Sequence, residues 1–141
     1  MTRYLYKAKE SKDSKFWHVG AYYKFLPYTP NPCSNVLPET DYKHLIISHT
    51  FSDWGLPREL KATEIDVETL CQFTGHNDKN GTPIWEYDIM RRHDGANCYT
   101  YGEVHWNPQL CRFILAKDDG DYVNFPLVDW EIVGSKYDRK V

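Results

Sequence analysis

The chain has 141 residues, of which 41% are apolar and 26% are charged, with a formal net charge of −3. This balance is typical of a folded globular protein and excludes wholesale disorder. The sequence contains no run of the roughly 18 apolar residues that a membrane-spanning helix needs. Its first residues lack the basic and apolar segments of a secretory signal, so we expect a cytoplasmic protein. The mild charge argues against strong non-specific binding to nucleic acid.

Aromatic residues make up 16% of the chain, which favours strands over helices. Two aromatic-rich runs, Tyr4–Ala8 and Phe16–Tyr23, flank a polar stretch and predict a β-hairpin within residues 1–25. That hairpin carries six Lys and Arg residues against two acids. A solvated basic face is the simplest interpretation of this charge.

The segment after the hairpin contains four prolines between residues 26 and 41. Because proline fixes φ and removes a backbone donor, we expect a long loop there. Residues 42–51 are β-branched and aromatic, and they predict a strand. Pro57–Ala62 is the one segment for which we predict a short helix, with the proline near its first turn.

The central segment gives the clearest local pattern. Thr69–Thr74 predicts a strand, and Asp78–Gly81 ends in the Asn-Gly pair that is typical of tight turns. Ile84–Met90 predicts the returning strand. Alternation places Trp85, Tyr87 and Ile89 on one side of it, and we expect that side to be buried.

Four further strands are predicted, over residues 99–106, 110–116, 122–125 and 129–133, followed by a polar tail at 135–141. Short strands at this spacing, with almost no helix, indicate a mostly β fold. We predict a small antiparallel barrel or roll that forms one domain over residues 1–141. Its β core spans residues 42–134.

The four cysteines, Cys33, Cys71, Cys98 and Cys111, form no C-x-x-C pair. A zinc site built from neighbouring cysteines is therefore not expected. Cys71 and Cys111 lie in apolar, strand-like runs, where we expect buried structural thiols. The six histidines are scattered, and we predict no metal and no cofactor.

No G-x-S-x-G, phosphate-loop or H-E-x-x-H motif is present. The acidic stretch Asp118–Asp121 lacks the ligand spacing of a calcium loop, so a solvated turn is expected. Glu86 and Asp88 lie two residues apart on the predicted strand, about 7 Å along one face. Paired carboxylates occur in glycosidases, and a hydrolase using Glu86 and Asp88 is a remote alternative.

The aromatic residues exceed what one small core can hold, so we expect some of them on the surface. The candidate contact residues are Arg91, Arg92 and Trp106, together with exposed aromatic rings near the two arginines. Such rings can anchor a protein partner or stack against nucleobases.

The run Thr69–Ile89 resembles the signature of the YopX family, small proteins encoded by phages and prophages. The positions in register are Thr69, Gln72, Thr74, Gly75, Asp78, Gly81, Ile84, Asp88 and Ile89. Weaker similarities occur in Tyr6–Tyr22, Gly102–Val104 and Trp130–Ser135. Cys71, Ala8 and Tyr87 replace glycines of the family pattern, and Ser135 replaces its asparagine. A local turn that differs at Tyr87 is therefore expected.

The resemblance implies a mostly β fold and a phage or prophage origin, and it carries over no catalytic residue. A hairpin in which polar side chains satisfy turn amides suffices to explain the signature positions Gln72, Thr74, Gly75, Asp78, Gly81 and Asp88. We therefore expect a non-enzymatic accessory protein that binds a host or phage protein in the bacterial cytoplasm, with self-association as a further option. The alternative is a small β-barrel that binds nucleic acid through Arg91, Arg92 and the Lys-rich hairpin.

Overall fold

A computed structural model describes residues 5–33, 38–50, 54–55 and 58–138. The chain divides into two compact units, an N-terminal unit over Leu5–Leu70 and a C-terminal unit that begins at Cys71. The single domain over residues 1–141 stays a prediction.

The N-terminal unit contains four antiparallel strands, with β1 at one side and β4 at the other. They are β1 (Tyr6–Ala8), β2 (His18–Phe25), β3 (Lys43–His49) and β4 (Leu60–Glu64). The predicted first hairpin is confirmed, since β1 pairs with β2 and Lys7 lies opposite Val19. Two short 3-10 helices, Glu39–Asp41 and Val67–Thr69, complete the regular structure of the unit. The described part of the proline-rich loop, residues 26–33 and 38–41, contains no strand.

The helix predicted at Pro57–Ala62 is wrong. Pro57 lies outside the described residues, and residues 60–62 belong to β4. In that strand Ala62 pairs with Ile47 and Leu60 with His49. The backbone hydrogen bonds of a six-residue helix are too few to nucleate it alone, so pairing with β3 decides the conformation.

The C-terminal unit contains seven strands: β5 (Cys71–Asn77), β6 (Pro83–Trp85), β7 (Asp88–Gly95), β8 (Cys98–Asn107), β9 (Arg112–Lys117), β10 (Tyr122–Asn124) and β11 (Trp130–Ser135). β5 and β6 form an antiparallel hairpin. The other five form an antiparallel sheet in the order β10-β9-β8-β7-β11. The predicted mostly β, antiparallel class is confirmed. The sheet ends at β10 and β11 and does not close into a barrel.

One face of this five-stranded sheet carries the larger buried cluster of the described residues. Its members are Ile84, Met90, Val104, Leu115, Leu127 and Trp130. Gly102 lies on the same face of β8, and a Cβ there would stand 2.8 Å from Leu115 Cγ. The absence of a side chain at Gly102 therefore lets the leucine pack directly against the strand.

The strand predicted over Ile84–Met90 is interrupted by a turn at residues 86–87, where Tyr87 has a φ of 65°. The predicted buried face is also wrong, because Ile84, Asp88 and Met90 are buried. Trp85, Tyr87 and Ile89 are half-buried. Alternation of residue types along the strand predicted that the face with the acidic residue Asp88 is exposed to solvent. Here the Asp88 carboxylate accepts a hydrogen bond from the Trp85 amide, 2.8 Å away, which allows its burial.

Two smaller predictions also need correction. Cys71 is buried as predicted, but Cys111 is exposed in the turn before β9, with a φ of 51°. The apolar residues next to Cys111 predicted that it lies in a strand. In the structure, pairing of β9 with β8 begins at Arg112, so Cys111 precedes the strand. β11 runs one residue into the predicted polar tail, and the buried Ser135 donates its amide to Asp138 Oδ2 at 2.7 Å. Residues 139–141 of that tail lie outside the described part of the chain.

Candidate functional site

The sheet of the N-terminal unit presents an outer face formed by alternate residues of β2, β3 and β4. In register, Ala21 lies opposite Ile47, which lies opposite Ala62. One step along the strands, Tyr23 lies opposite Leu45. We call this surface the apolar face; it consists of Val19, Ala21, Tyr23, Phe25, Leu45, Ile47, Leu60 and Ala62.

Several side chains of the apolar face are open to solvent. Leu60 is 82% exposed, Tyr23 is 53% exposed and Val19 is 42% exposed. The rings of Tyr23 and Phe25 stack with their centroids 5.8 Å apart. His49 lies opposite Leu60 on the same face, so the exposed apolar side chains are grouped there rather than continuous. Exposed apolar groups on one face can mark interaction sites in soluble proteins.

The opposite face of the same sheet packs within the unit. Ala8, Ile46 and Ile65 are its buried cluster. Tyr22 stacks on His44 and its hydroxyl hydrogen-bonds with the Nδ1 atom of that ring. Burial raises the pKa of Tyr22 above its usual value. The sheet therefore carries apolar side chains on both faces, and among the described residues only the face of Ile46 contains a buried cluster.

Charged residues lie at the margins of the apolar face. Lys43 occupies the end of β3 next to Phe25, and Glu64 lies opposite Leu45 at the outer strand β4. Both residues are exposed. An apolar centre with a charged rim is the composition of a protein-binding surface.

Sequence reasoning missed Leu60 and Ala62, because the segment was interpreted as a helix. The signal that could have found them is the alternation of Leu60, Ala62 and Glu64 with Lys61 and Thr63. Such alternation is a strand pattern even where its apolar members face solvent.

Arg91, one of the predicted contact residues, is engaged within the C-terminal unit. Its Nε donates to Glu131 Oε1 at 2.5 Å, and its guanidinium lies 4.7 Å from the ring centroid of Tyr99. The hydrogen bond with Glu131 raises the pKa of Arg91, and the same bond lowers the pKa of Glu131.

Arg92 is engaged in a similar way. Its Nε donates to Asp94 at 2.8 Å, and its guanidinium lies 5.2 Å from the Trp130 ring centroid. Hydrogen bonds from Thr100 and then Arg92 lower the pKa of Asp94. In the pairing of β7 with β8, Arg92 lies opposite Thr100. Trp106 is therefore roughly 20 Å further along β8, and the structure does not bring it together with the two arginines.

Asp78 anchors the signature turn between β5 and β6. Its Oδ1 accepts from the amides of Asn80 and Thr82 at 2.9 and 2.8 Å. Its Oδ2 accepts from the Ile132 amide at 3.1 Å and so ties the turn to β11. Asp78 is buried, and these three donors compensate for the desolvation of its carboxylate.

The other signature positions also have contacts within the unit. Thr74 Oγ1 donates to the Ile84 carbonyl at 2.8 Å, and the Gln72 carbonyl accepts from the Glu86 amide at 2.9 Å. Gly75 and Gly81 have φ values of 85° and 80°, which side-chain-bearing residues rarely adopt. These contacts join the two strands of the β5–β6 hairpin.

Glu86 and Asp88 do not share the strand face that was predicted for a carboxylate pair. Glu86 lies in the turn and Asp88 in β7, with its carboxylate buried. Burial raises the pKa of Glu86, and the hydrogen bond from the Gln72 amide opposes that shift. Among the described residues, no three His, Cys, Asp or Glu side chains converge to hold a metal ion.

A family model described as YopX protein matches residues 33–139, which is most of the chain. The chain belongs to the YopX family. The signature run and the closing similarity at Trp130–Ser135 lie within the match, whereas the opening similarity at Tyr6–Tyr22 precedes it. A search of curated proteins finds no match.

One departure from the YopX pattern has a structural counterpart. Tyr87 stands where the pattern has glycine, and its φ of 65° lies in the left-handed region that favours glycine. Its ring packs edge-on against His105 and Tyr137, each at 5.6 Å between centroids. These ring contacts accompany the unfavourable backbone conformation and help to stabilise it.

No helix in the described ranges has the length and apolar character that crossing a membrane requires.

Proposed function

We propose that this YopX-family protein is a phage or prophage accessory protein that acts by non-catalytic binding of a protein partner through the apolar face. The observation that carries the proposal is the group of exposed apolar side chains on one face of the N-terminal sheet, Val19, Tyr23 and Leu60, where the described residues form no buried cluster. We place this activity in the cytoplasm of a bacterial host cell.

The exposed side chains can contribute binding energy in this role. Burying a side chain the size of leucine or valine contributes roughly 1.5–3 kcal/mol, so Leu60 and Val19 offer a sizeable gain. Tyr23 adds an aromatic ring, a residue type that is common at the centre of protein interfaces. β4 is the outer strand of the sheet, and its edge is suited to pairing with a strand of the partner.

The other functions considered above receive less support. Arg91 and Arg92 already pair with Glu131 and Asp94, so their charge is partly neutralised for contact with nucleic-acid phosphates. A hydrolase based on Glu86 and Asp88 would need both carboxylates on one open surface, and Asp88 is buried.

The test compares Leu60→Glu with Leu110→Glu. Both leucines are exposed, but Leu110 lies in the turn before β9 and outside the apolar face. The tagged chain and both variants are used to capture proteins from host lysate that contains the phage proteins. Each captured protein is then purified and its affinity measured.

We expect a partner that binds the unmodified chain and Leu110→Glu with equal affinity and loses at least tenfold with Leu60→Glu. If the partner is a second copy, sedimentation shows a dimer that only Leu60→Glu dissociates. Equal binding by all three chains, or a monomer that captures no reproducible partner, would overturn the proposal.

A further inference from the structure

The five-stranded sheet of the C-terminal unit has a second face, opposite to its buried cluster. In β8, Val104 belongs to that cluster. Because side chains alternate along a strand, Tyr99, Tyr101 and Glu103 point to the other side. This surface does not involve the apolar face, so its interpretation is independent of the proposed function.

The strand register brings further residues to this second face. Tyr101 lies opposite Arg91, which lies opposite Glu131. Glu103 and Tyr122 face each other across one residue of β9. We call this surface the tyrosine face; it consists of Arg91, Tyr99, Tyr101, Glu103, Tyr122 and Glu131.

The three rings of the tyrosine face are open to solvent. Tyr99 is 39% exposed, Tyr101 is 42% exposed and Tyr122 is 44% exposed. The ring centroids of Tyr99 and Tyr101 are 6.4 Å apart. The opposite side of the same sheet is packed, so the rings stand on a rigid base. Tyrosine offers a large contact area there at a low cost in conformational entropy.

Polar groups between the rings are held by contacts within the sheet. Arg91 Nε donates to Glu131 Oε1, and His105 Nε2 lies 3.4 Å from Glu103 Oε1. A guanidinium has five N–H donors and a carboxylate about four acceptor positions, so these contacts leave capacity for a ligand. Donors and acceptors of fixed position therefore lie beside the exposed rings.

The charge of this face decides which class of ligand fits it. By register, the charged residues that the described strands place there are Arg91, Arg112, Glu103 and Glu131, which sum to zero. A nucleic acid requires positive charge to neutralise its phosphates, and the centre of a protein interface is depleted of charged residues. A neutral sugar chain meets neither obstacle. Its C–H groups pack on the negative faces of aromatic rings, and its hydroxyls both donate and accept hydrogen bonds.

We propose that the tyrosine face binds a neutral oligosaccharide, with sugar rings packed against Tyr101 and Tyr122 and hydroxyls bonded to Arg91 and Glu103. The guanidinium of Arg91 already lies over Tyr99, so the other two rings are the packing surfaces. Their Cα atoms are roughly 12 Å apart, which is two strand spacings across and two residues along the sheet. A ligand that reaches both rings is therefore longer than one sugar unit.

The test measures binding to the full chain by calorimetry. The ligands are neutral hexasaccharides of glucose, N-acetylglucosamine, mannose and xylose, the corresponding monosaccharides, and a single-stranded oligonucleotide. Tyr101→Ala and Tyr122→Ala each remove one ring, whereas Tyr101→Phe keeps the ring and removes the hydroxyl. The matched control is Trp106→Ala, because Trp106 is 46% exposed on the opposite face of the same strand.

We expect at least one hexasaccharide to bind, and to bind more tightly than its monosaccharide. Tyr101→Ala and Tyr122→Ala should each weaken that binding about tenfold. Tyr101→Phe and Trp106→Ala should bind like the unmodified chain. Raising NaCl from about 0.05 to about 0.5 M should leave the affinity unchanged, because a neutral ligand releases no counterions.

Thermal unfolding checks that every variant is folded. If Tyr101→Ala does not fold, Tyr122→Ala decides, since β10 is an outer strand of the sheet. Three results would overturn the proposal: no hexasaccharide binds at millimolar concentration, a folded ring variant binds as the unmodified chain does, or Trp106→Ala loses as much affinity as the ring variants. Salt-sensitive binding of the oligonucleotide that is tighter than that of every saccharide would also overturn it and would assign the face to nucleic acid.

Discussion

The two units treat the faces of their sheets differently. In the C-terminal unit, residues from outside the five-stranded sheet, including Ile84 and Leu127, cover its apolar face and form a buried cluster. In the N-terminal unit, the described residues form no buried cluster on the apolar face of β2, β3 and β4, and Leu60 is 82% exposed. The difference indicates that the sheet of the C-terminal unit serves stability within the chain. We propose that the sheet of the N-terminal unit serves association.

The largest expected effect comes from truncating one apolar side chain in each unit. Met90→Ala should lower the free energy of unfolding by about 2–5 kcal/mol, because Met90 is buried and its removal leaves a cavity. Leu60→Ala should change it by less than about 0.5 kcal/mol, because the side chain is exposed. Denaturant unfolding of both variants measures the difference. A loss above about 2 kcal/mol for Leu60→Ala would break the comparison, since it would mean that the chain itself covers this face.

An intermediate effect is expected from two aspartates that accept hydrogen bonds from backbone amides. Asp78→Ala should cost about 3 kcal/mol, because it leaves three amide donors of the C-terminal unit without their acceptor. Asp66→Ala should cost about 1 kcal/mol, because among the described residues Asp66 Oδ1 accepts a single amide hydrogen bond, from Glu68 at the start of a short 3-10 helix. Hydrogen exchange adds a local measurement, with faster exchange at Ile132 in the first variant only. Equal losses would show that the connection to β11 adds nothing.

The smallest expected effect is a change of stability with pH. Burial raises the pKa of Tyr137 to about 12 from its ordinary value of 10. A raised pKa means that the folded state holds the proton more tightly, so this contribution is complete below pH 10 and is lost as pH rises towards 12. Tyr137→Phe should therefore flatten the fall in stability over that interval. Tyr122→Phe, which removes an exposed tyrosine, is the control and should leave the fall unchanged. An unchanged pH profile in Tyr137→Phe would mean that its hydroxyl does not ionise abnormally.

Local patterns in the sequence predicted much of the strand content. The hairpin within residues 1–25 and the turn at Asp78–Gly81 were predicted because adjacent residues determine them: aromatic strands around a polar stretch, and turn-forming residues in sequence. The YopX signature depends on the same local order of residues. The helix predicted at residues 57–62 failed because pairing of residues 60–62 with the preceding strand β3 outweighed local preference.

The candidate sites were less accessible to such reasoning. Arg91 and Arg92 were expected at a contact surface, yet Glu131 and Asp94 engage them, and Glu131 is 40 residues away from its partner. His76 and Phe125 carry no pattern that singles them out, and only the tertiary structure brings their ring centroids within 5.0 Å.

The sequence by itself determined most of the strands and the signature turn, because backbone preferences and turn chemistry act between neighbouring residues, and its local motifs indicated the family. Tertiary structure decided which face of each strand is buried. Asp88 can be buried because the Trp85 amide satisfies its carboxylate, and Leu60 points outward because its register with β3 places it on the sheet face opposite to Ile46. Burial depends on hydrogen bonds and packing partners that the fold supplies, and alternation along one strand does not contain that information.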